Sequence, residues 1–512
     1  MKRFCALVLV ILFLVPAVVS CSDGGGNAKD PVVTDTNPDT ADTTSSGADG
    51  VITKEVEPLS DDIQALDYSG KTVTILSRPG TSEWAKTEIW VEEMTNDPVN
   101  DSIYNRNAFV CETLGLKEIN NVTAPSGSSH AGSISEKVNV MVSSGDQTYD
   151  IVAGSVYYDT PLINQGMMYD LYDNGIDTYL DASKPWWANY WIEQAETGGR
   201  LYCITGAPAL SLTRLMFVMY YNKDFGENEG LEDMYTVVSE GRWTIDYLNE
   251  VISPIYRSLN GDDERDEEDQ YGLLINHYEN CDMFWSAFDM SMIRRDDEGW
   301  FEFDASQQEK ISAAFEKVYY LIRENPGTYD TGSSEGFKTA CINFSNGNAL
   351  FAALHLYYAE TKEMRNMQDE YGILPIPKYD EKQKDYFTYA HDQYTVFMVP
   401  KTVADPEMSG AVLETMAYES YKSLQPTYYD LVLKGRYAND PQSRSILDTV
   451  TTNVMVDPSY IYGMQLTQPE VHVFRSLIYA GEKTFASAWA KQARMVPVMI
   501  KSLRSIIEKL EY

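Results

Sequence analysis

The densest run of potential ligand atoms in the chain is Ser258-Leu259-Asn260-Gly261-Asp262-Asp263-Glu264-Arg265-Asp266-Glu267-Glu268-Asp269. Its length and alternating oxygens match those of an EF-hand-like calcium loop, with Asn260, Asp262, Asp266 and Asp269 at ligand positions. It departs from that pattern in opening on Ser, in carrying Asp263 where the sharp turn wants glycine, and in ending on Asp. A structural calcium on these four residues is therefore one expectation, and a solvated acidic turn the other. No GxSxG or HExxH motif is present, so neither a strand–helix serine nucleophile nor a zinc-protease helix is indicated.

The six cysteines fall into two groups. Lys2 and Arg3 precede an apolar run from Phe4 to Val19, followed by Ser20-Cys21. That is the layout of a secretory signal over residues 1–20, shorter than the ~20 apolar residues of a spanning helix. A cysteine directly after the small residue resembles the lipobox of bacterial lipoproteins, which implies acylation of Cys21. Residues 21–67 hold no aromatic residue until Tyr68 and are rich in Asp, Thr, Gly and Ser, so a flexible acidic linker is expected. Cys111, Cys203, Cys281 and Cys341 are widely spaced and match no CxxC metal pattern; free thiols and disulfides both remain open.

The remaining chain must supply the elements that hold any site. Its length of 512 residues exceeds one ordinary core, and 36 Tyr, 17 Phe and 9 Trp exclude bulk disorder. A net charge of −37 repels phosphate backbones, which argues against nucleic-acid binding. Val73–Leu76, Asp150–Ala153, Phe217–Tyr221, Tyr271–Ile275, Ala349–Leu354, Tyr371–Ile376 and Tyr394–Val399 read as buried strands separated by helical patterns. Such alternation predicts doubly wound α/β sheets, whose ligands sit beyond the carboxyl ends of strands. Trp84, Tyr157 and Tyr158 fall beyond the first two strand ends. Asn276, His277 and Glu279 follow the Tyr271 strand, and His355 and Tyr357 follow the Ala349 strand.

Ordered along the chain, Asp150-Ile151-Val152, Leu162-Ile163-Asn164-Gln165-Gly166-Met167-Met168-Tyr169-Asp170-Leu171, Tyr221-Asn222-Lys223-Asp224, Gly241-Arg242-Trp243-Thr244, Gln270-Tyr271-Gly272, Gly372-Ile373-Leu374-Pro375 and Pro400-Lys401-Thr402 resemble the extracellular solute-binding proteins of sugar-type ABC importers. The group includes maltose-binding protein, and the resemblance spans nearly all of the chain after Tyr68. It implies two doubly wound α/β lobes, residues 68–205 with 376–432 and residues 212–370 with 436–512. Hinge crossings are expected at 206–211, 371–375 and 433–435, with a ligand cleft between lobes that closes on the solute.

By that resemblance the function is capture of a carbohydrate without chemistry. Delivery to ABC permease subunits is implied, with a monomer held outside the cell by lipid on Cys21. Sugars offer hydroxyl edges and C–H faces, so aromatic rings beside carboxylates and amides are the groups to seek. To the strand-end residues this adds Trp243, Trp285, Arg214 in the first crossing, and His391, Asp392 and Tyr394 near the second. The loop holding Tyr157 and Tyr158 lacks the Trp and charged pair of maltose-binding relatives, so maltose itself is not implied. Two alternatives are a secreted carbohydrate-active hydrolase, which needs two carboxylates ~5–9.5 Å apart, and a binder of peptides or other solutes.

Overall fold

The computed structural model describes residues 44–46, 51–80, 88–125, 132–172, 179–262, 264–332, 335–433 and 441–510. The expected signal segment, Cys21, Trp84 and residues 434–435 lie outside the described residues. Residues 51–67, expected to belong to the linker, pack onto the first lobe. Ile52 N–H donates to Thr427 Oγ1 at 2.8 Å, Leu59 and Ile63 are buried, and Ser60 caps a short helix, Asp61–Gln64. A few apolar residues in a polar segment suffice to seat it once a folded surface is there to receive them.

Among the described residues ten strands build the two main sheets, the shortest, Tyr256–Arg257, lying antiparallel to Gln270–Ile275 in the second. The first contains β1 (Thr72–Ser77), β2 (Glu118–Thr123), β3 (Ile151–Ser155) and β9 (Thr395–Met398), in the order β9-β3-β1-β2. β1 pairs in parallel with β2 and β3, and β9 runs antiparallel to β3. The second contains β4 (Phe217–Asn222), β5 (Gln270–Ile275), β6 (Thr328–Asp330), β7 (Ala349–His355) and β8 (Tyr371–Leu374), in the order β6-β5-β7-β4-β8. β6, β5 and β7 are parallel, whereas β4 runs antiparallel to both β7 and β8. Every residue of β4 and β7 is buried, which explains their unbroken apolar runs: both faces are covered by helices.

The chain passes from the first sheet to the second between β3 and β4, and returns between β8 and β9. The two passages run side by side: Met216 bridges Ala390 antiparallel, Phe217 N–H donates to Tyr389 O at 2.9 Å, and His391 N–H donates to Leu215 O at 3.0 Å. Residues 371–374, expected as a crossing, form the edge strand β8, and the return passage lies near 389–394. Pro375 and Pro377 end β8 because neither has an N–H to continue its ladder. Residues 206–211, the other expected crossing, hold Gly206, bridged to Trp187, and the first residues of the Leu210–Arg214 helix.

Capping fixes several helices. Asp97 accepts from Val99 and Asn100 N–H with Pro98 in the first turn, which starts the Pro98–Thr113 helix. Thr244 caps Ile245–Ile252, accepting from Tyr247 N–H. The C-terminal segments on either side of Pro497 form one helix, Phe485–Ile507. Trp489, Val496, Ile500, Leu503 and Ile507 are buried on both sides of the proline, so packing outweighs its missing hydrogen bond. Among the described residues no helix is long and apolar enough to cross a membrane.

Candidate functional site

Six of the residues singled out from the sequence converge where the two passages meet the strand ends. β3 ends at Ser155, and the following turn carries Tyr157 and Tyr158, whose rings meet edge to face at 4.8 Å. Tyr157 N–H donates to Asp392 O at 3.2 Å, tying that turn to the return passage. Burial raises the Tyr158 pKa, and the charge of Asp392 adds to it. Asp392 Oδ2 accepts from Gln468 Nε2 at 3.3 Å, and Oδ1 lies 3.7 Å from His391 Nδ1. From the second lobe, His355 at the end of β7 stands 5.7 Å from the His391 ring and 5.8 Å from Tyr357, centroid to centroid.

His355 is buried among Phe217 at 4.2 Å, Phe337 at 4.7 Å and Tyr357. Among the described residues neither of its ring nitrogens has a hydrogen-bond partner. Burial, reinforced by the electrostatic influence of the neighbouring His391 ring, holds its pKa well below the usual imidazole range, so it stays neutral at pH 7. A buried neutral imidazole with two unspent nitrogens is a donor and an acceptor awaiting a polar partner. Asp392 adds an acceptor and the tyrosines add apolar faces with hydroxyl tips. Donors, acceptors and aromatic faces of this kind are chemically suited to a polyhydroxylated ring.

Behind this cluster lies a layer that the sequence reading missed. Asp282, in the Asn280–Ala287 helix after β5, pairs with Arg475 at 2.7 Å, and Arg475 stacks over the Tyr278 ring at 4.8 Å. Burial pushes the Asp282 carboxyl up to about 7, with Arg475 pulling it down and Asp392 pushing it further up. Arg78, directly after β1, donates to Gln393 O and lies 3.4 Å from Glu88. Glu88 accepts from Ser211 N–H at 2.6 Å and Ser211 Oγ at 3.0 Å in the first passage, and from Thr395 Oγ1 at the start of β9. One carboxylate thus pins both passages. Arg78 directly follows a strand read from the sequence yet was not singled out, and nothing local marks Glu88 or Arg475.

The other candidates are placed elsewhere. Trp243 and Trp285 are core residues whose indole N–H groups donate to Pro375 O at 2.8 Å and Asp457 Oδ2 at 3.2 Å. Tyr394 is fully buried and accepts from Trp191 Nε1. Asn276 is a buried turn-former, its Oδ1 accepting from Tyr278 and Glu279 N–H, and Glu279 stands half-buried at the start of the helix that follows. His277 contacts Asp330 at 2.6 Å and Tyr479 at 5.2 Å, on the far edge of the second sheet. Arg214 is buried and bonded twice to Glu360, at 2.9 and 3.3 Å.

The acidic loop spends its oxygens internally. Asn260 Nδ2 donates to Asp262 Oδ2 at 2.9 Å, and Asp266 Oδ1 accepts from Glu268 N–H. Asp269 turns inward to accept from Tyr256 OH at 3.0 Å and Leu259 N–H at 3.2 Å. Among the described residues no group of three or more His, Cys, Asp or Glu side chains is placed to hold a metal ion. Cys111, Cys203, Cys281 and Cys341 are all free thiols.

No family model matches the chain, and no curated protein matches its sequence. Solved structures do match in shape. A cyclo/maltodextrin-binding protein complexed with maltotetraose aligns with a TM-score of 0.53 at 13% identity, covering 85% of this chain and 98% of its own. The maltose/maltodextrin-binding domain MalE of Bdellovibrio bacteriovorus, bound to maltotriose, aligns with a TM-score of 0.51 at 14% identity, covering 85% and 100%. UspC of M. tuberculosis gives 0.51 at 14% identity, covering 84% and 100%. At such identities the likeness is one of fold: this chain has the two-lobed α/β architecture of type II periplasmic binding proteins.

Proposed function

We propose that the chain is a membrane-anchored extracellular solute-binding protein that captures a carbohydrate, an oligosaccharide in the first instance, by lobe closure and delivers it to an ABC permease. The observation that carries this reading is the cluster of Tyr157, Tyr158, His355, Tyr357, His391 and Asp392, drawn from both lobes and from the passage between them. The same fold serves maltotetraose and maltotriose binding in the similar structures. Anchoring through Cys21 and extracellular placement rest on the sequence of the N-terminus. Binding without chemistry is favoured because Asp282, the buried carboxyl near Asp392, is spent on Arg475.

Calorimetric titration with a panel of mono- and oligosaccharides tests the reading. At least one sugar is expected to bind and to raise the melting temperature. Asp392→Asn is expected to weaken that sugar roughly ten-fold or more, the worth of a charge-assisted hydrogen bond. Binding by no carbohydrate, or turnover of a chromogenic glycoside that Asp392→Asn abolishes, would defeat the reading.

A further inference from the structure

Residues 457–475 pack against elements of both sheets and touch the aromatic–acidic cluster between them. On the side of the first sheet, Thr160 Oγ1, in the turn after β3, lies 2.8 Å from Ile461 O, and Tyr462 OH donates to Ala195 O at 2.6 Å. On the side of the second, Trp285 Nε1 donates to Asp457, Arg475 pairs with Asp282 at 2.7 Å, and the Phe474 and Trp285 rings meet edge to face at 6.0 Å. Between these anchors Gln468 Nε2 donates to Asp392 Oδ2. We propose that Gln468 is a positioning residue of the sugar site, holding the Asp392 carboxylate in place for a ligand hydroxyl. This role presupposes the function proposed above.

The backbone at Gln468 points the same way. Thr467 and Gln468 are both left-handed, at φ 60° and 43°, the only adjacent non-glycine residues with positive φ among those described. Side chains disfavour that region, β-branched ones above all, and Pro469 further steers the residue before it toward extended backbone. Such conformations persist where the surrounding structure imposes them, and they gather at binding sites. Here a buried knot closes the turn: Ser459 Oγ lies 2.6 Å from both Asp457 Oδ1 and Glu470 Oε2. The turn delivers the Gln468 amide to Asp392, where Nε2 lies 3.3 Å from Oδ2. Asp392 Oδ1 has His391 Nδ1 at 3.7 Å, beyond hydrogen-bond length, and stays open to a solute. Gln468 and Asp392 are each partly exposed, so a ligand can reach the pair. The amide keeps a second N–H and its carbonyl for further hydroxyls.

Calorimetric titration and urea unfolding of Gln468→Gly test this. Maltotriose, cellotriose, xylotriose and their monosaccharides are the probes for the unaltered chain, and the tightest binder among them is the probe for the variants. Glycine adopts left-handed backbone without steric cost, so the urea midpoint is expected not to fall. Affinity is expected to drop roughly five-fold as the hydrogen bond to the carboxylate is lost. In the Asp392→Asn background the same change is expected to weaken binding about two-fold at most, because the charge that Gln468 serves is gone. Affinity undiminished by Gln468→Gly, an equal loss in the Asp392→Asn background, or a midpoint that falls together with affinity would overturn the inference and leave the proposed function standing. Failure of the unaltered chain to bind any carbohydrate would defeat the proposed function and the role of Gln468 with it.

Discussion

Glu414 shows how a single buried carboxyl sets a pH response. Its two oxygens accept from the indole N–H groups of Trp186 and Trp187, both at 2.8 Å, and from Asp181 N–H at 3.3 Å. Burial pushes its pKa up to about 7, although the two indole bonds work the other way. A carboxyl whose folded pKa lies above its unfolded value of about 4.3 contributes stability that is complete below that value and is lost as pH rises through about 7. The swing is on the order of 3 kcal/mol. Urea melts at pH 4.5 and pH 8 should therefore differ by that component, and Glu414→Gln should remove it while sparing the rest of the pH profile. At the same scale, the sequence exposed Tyr157, Tyr158, His355, Tyr357, His391 and Asp392 through their positions at strand ends and passages. It misjudged Trp243 and Trp285 because a tryptophan near a loop signal can equally turn inward, and only packing decides which.

Elements were read more securely than their ends. β4 and β7 announce themselves by apolar runs that only double-sided burial explains. The glycines around β5 and β6 show what such packing demands. A Cβ on Gly272 would lie 2.5 Å from Ile252 Cβ, and one on Gly327 would lie 1.8 Å from Ile252 O. Neither position needs a left-handed backbone; the constraint is the close approach of the Ile245–Ile252 helix. Gly327→Ala should accordingly destabilise the fold by roughly 1–3 kcal/mol, measured as a lower urea midpoint at unchanged slope. The helix spanning Pro497 marks the opposite case, in which a local stop signal yields to a continuous buried face.

At the scale of the whole molecule the decisive feature is the pair of passages locked by Glu88. Under the proposed function, closure of the two lobes about these passages is expected to show in small-angle scattering as a smaller radius of gyration when a bound sugar is added. Glu88→Ala strips the acceptor from Ser211 and Thr395 and removes one carboxylate from beside Arg78. The variant is expected to lose about 2 kcal/mol or more of stability and to close less completely in the same scattering experiment.

By itself the sequence determined the α/β class, seven of the sheet strands in their order, and the strand-end positions of the candidate residues, while Glu118–Thr123 and Thr328–Asp330 went unread. These depend on local periodicity and turn chemistry, which a linear reading captures. The folded structure alone decided that Tyr371–Leu374 is a sheet edge and that the return passage runs beside Leu215–Phe217. It also decided that the acidic loop consumes its own oxygens, and that Glu88, Asp282 and Arg475 stand behind the candidate site. Those outcomes join residues hundreds of positions apart, and the energy that selects among them is burial and hydrogen-bond satisfaction in three dimensions, which no local pattern encodes.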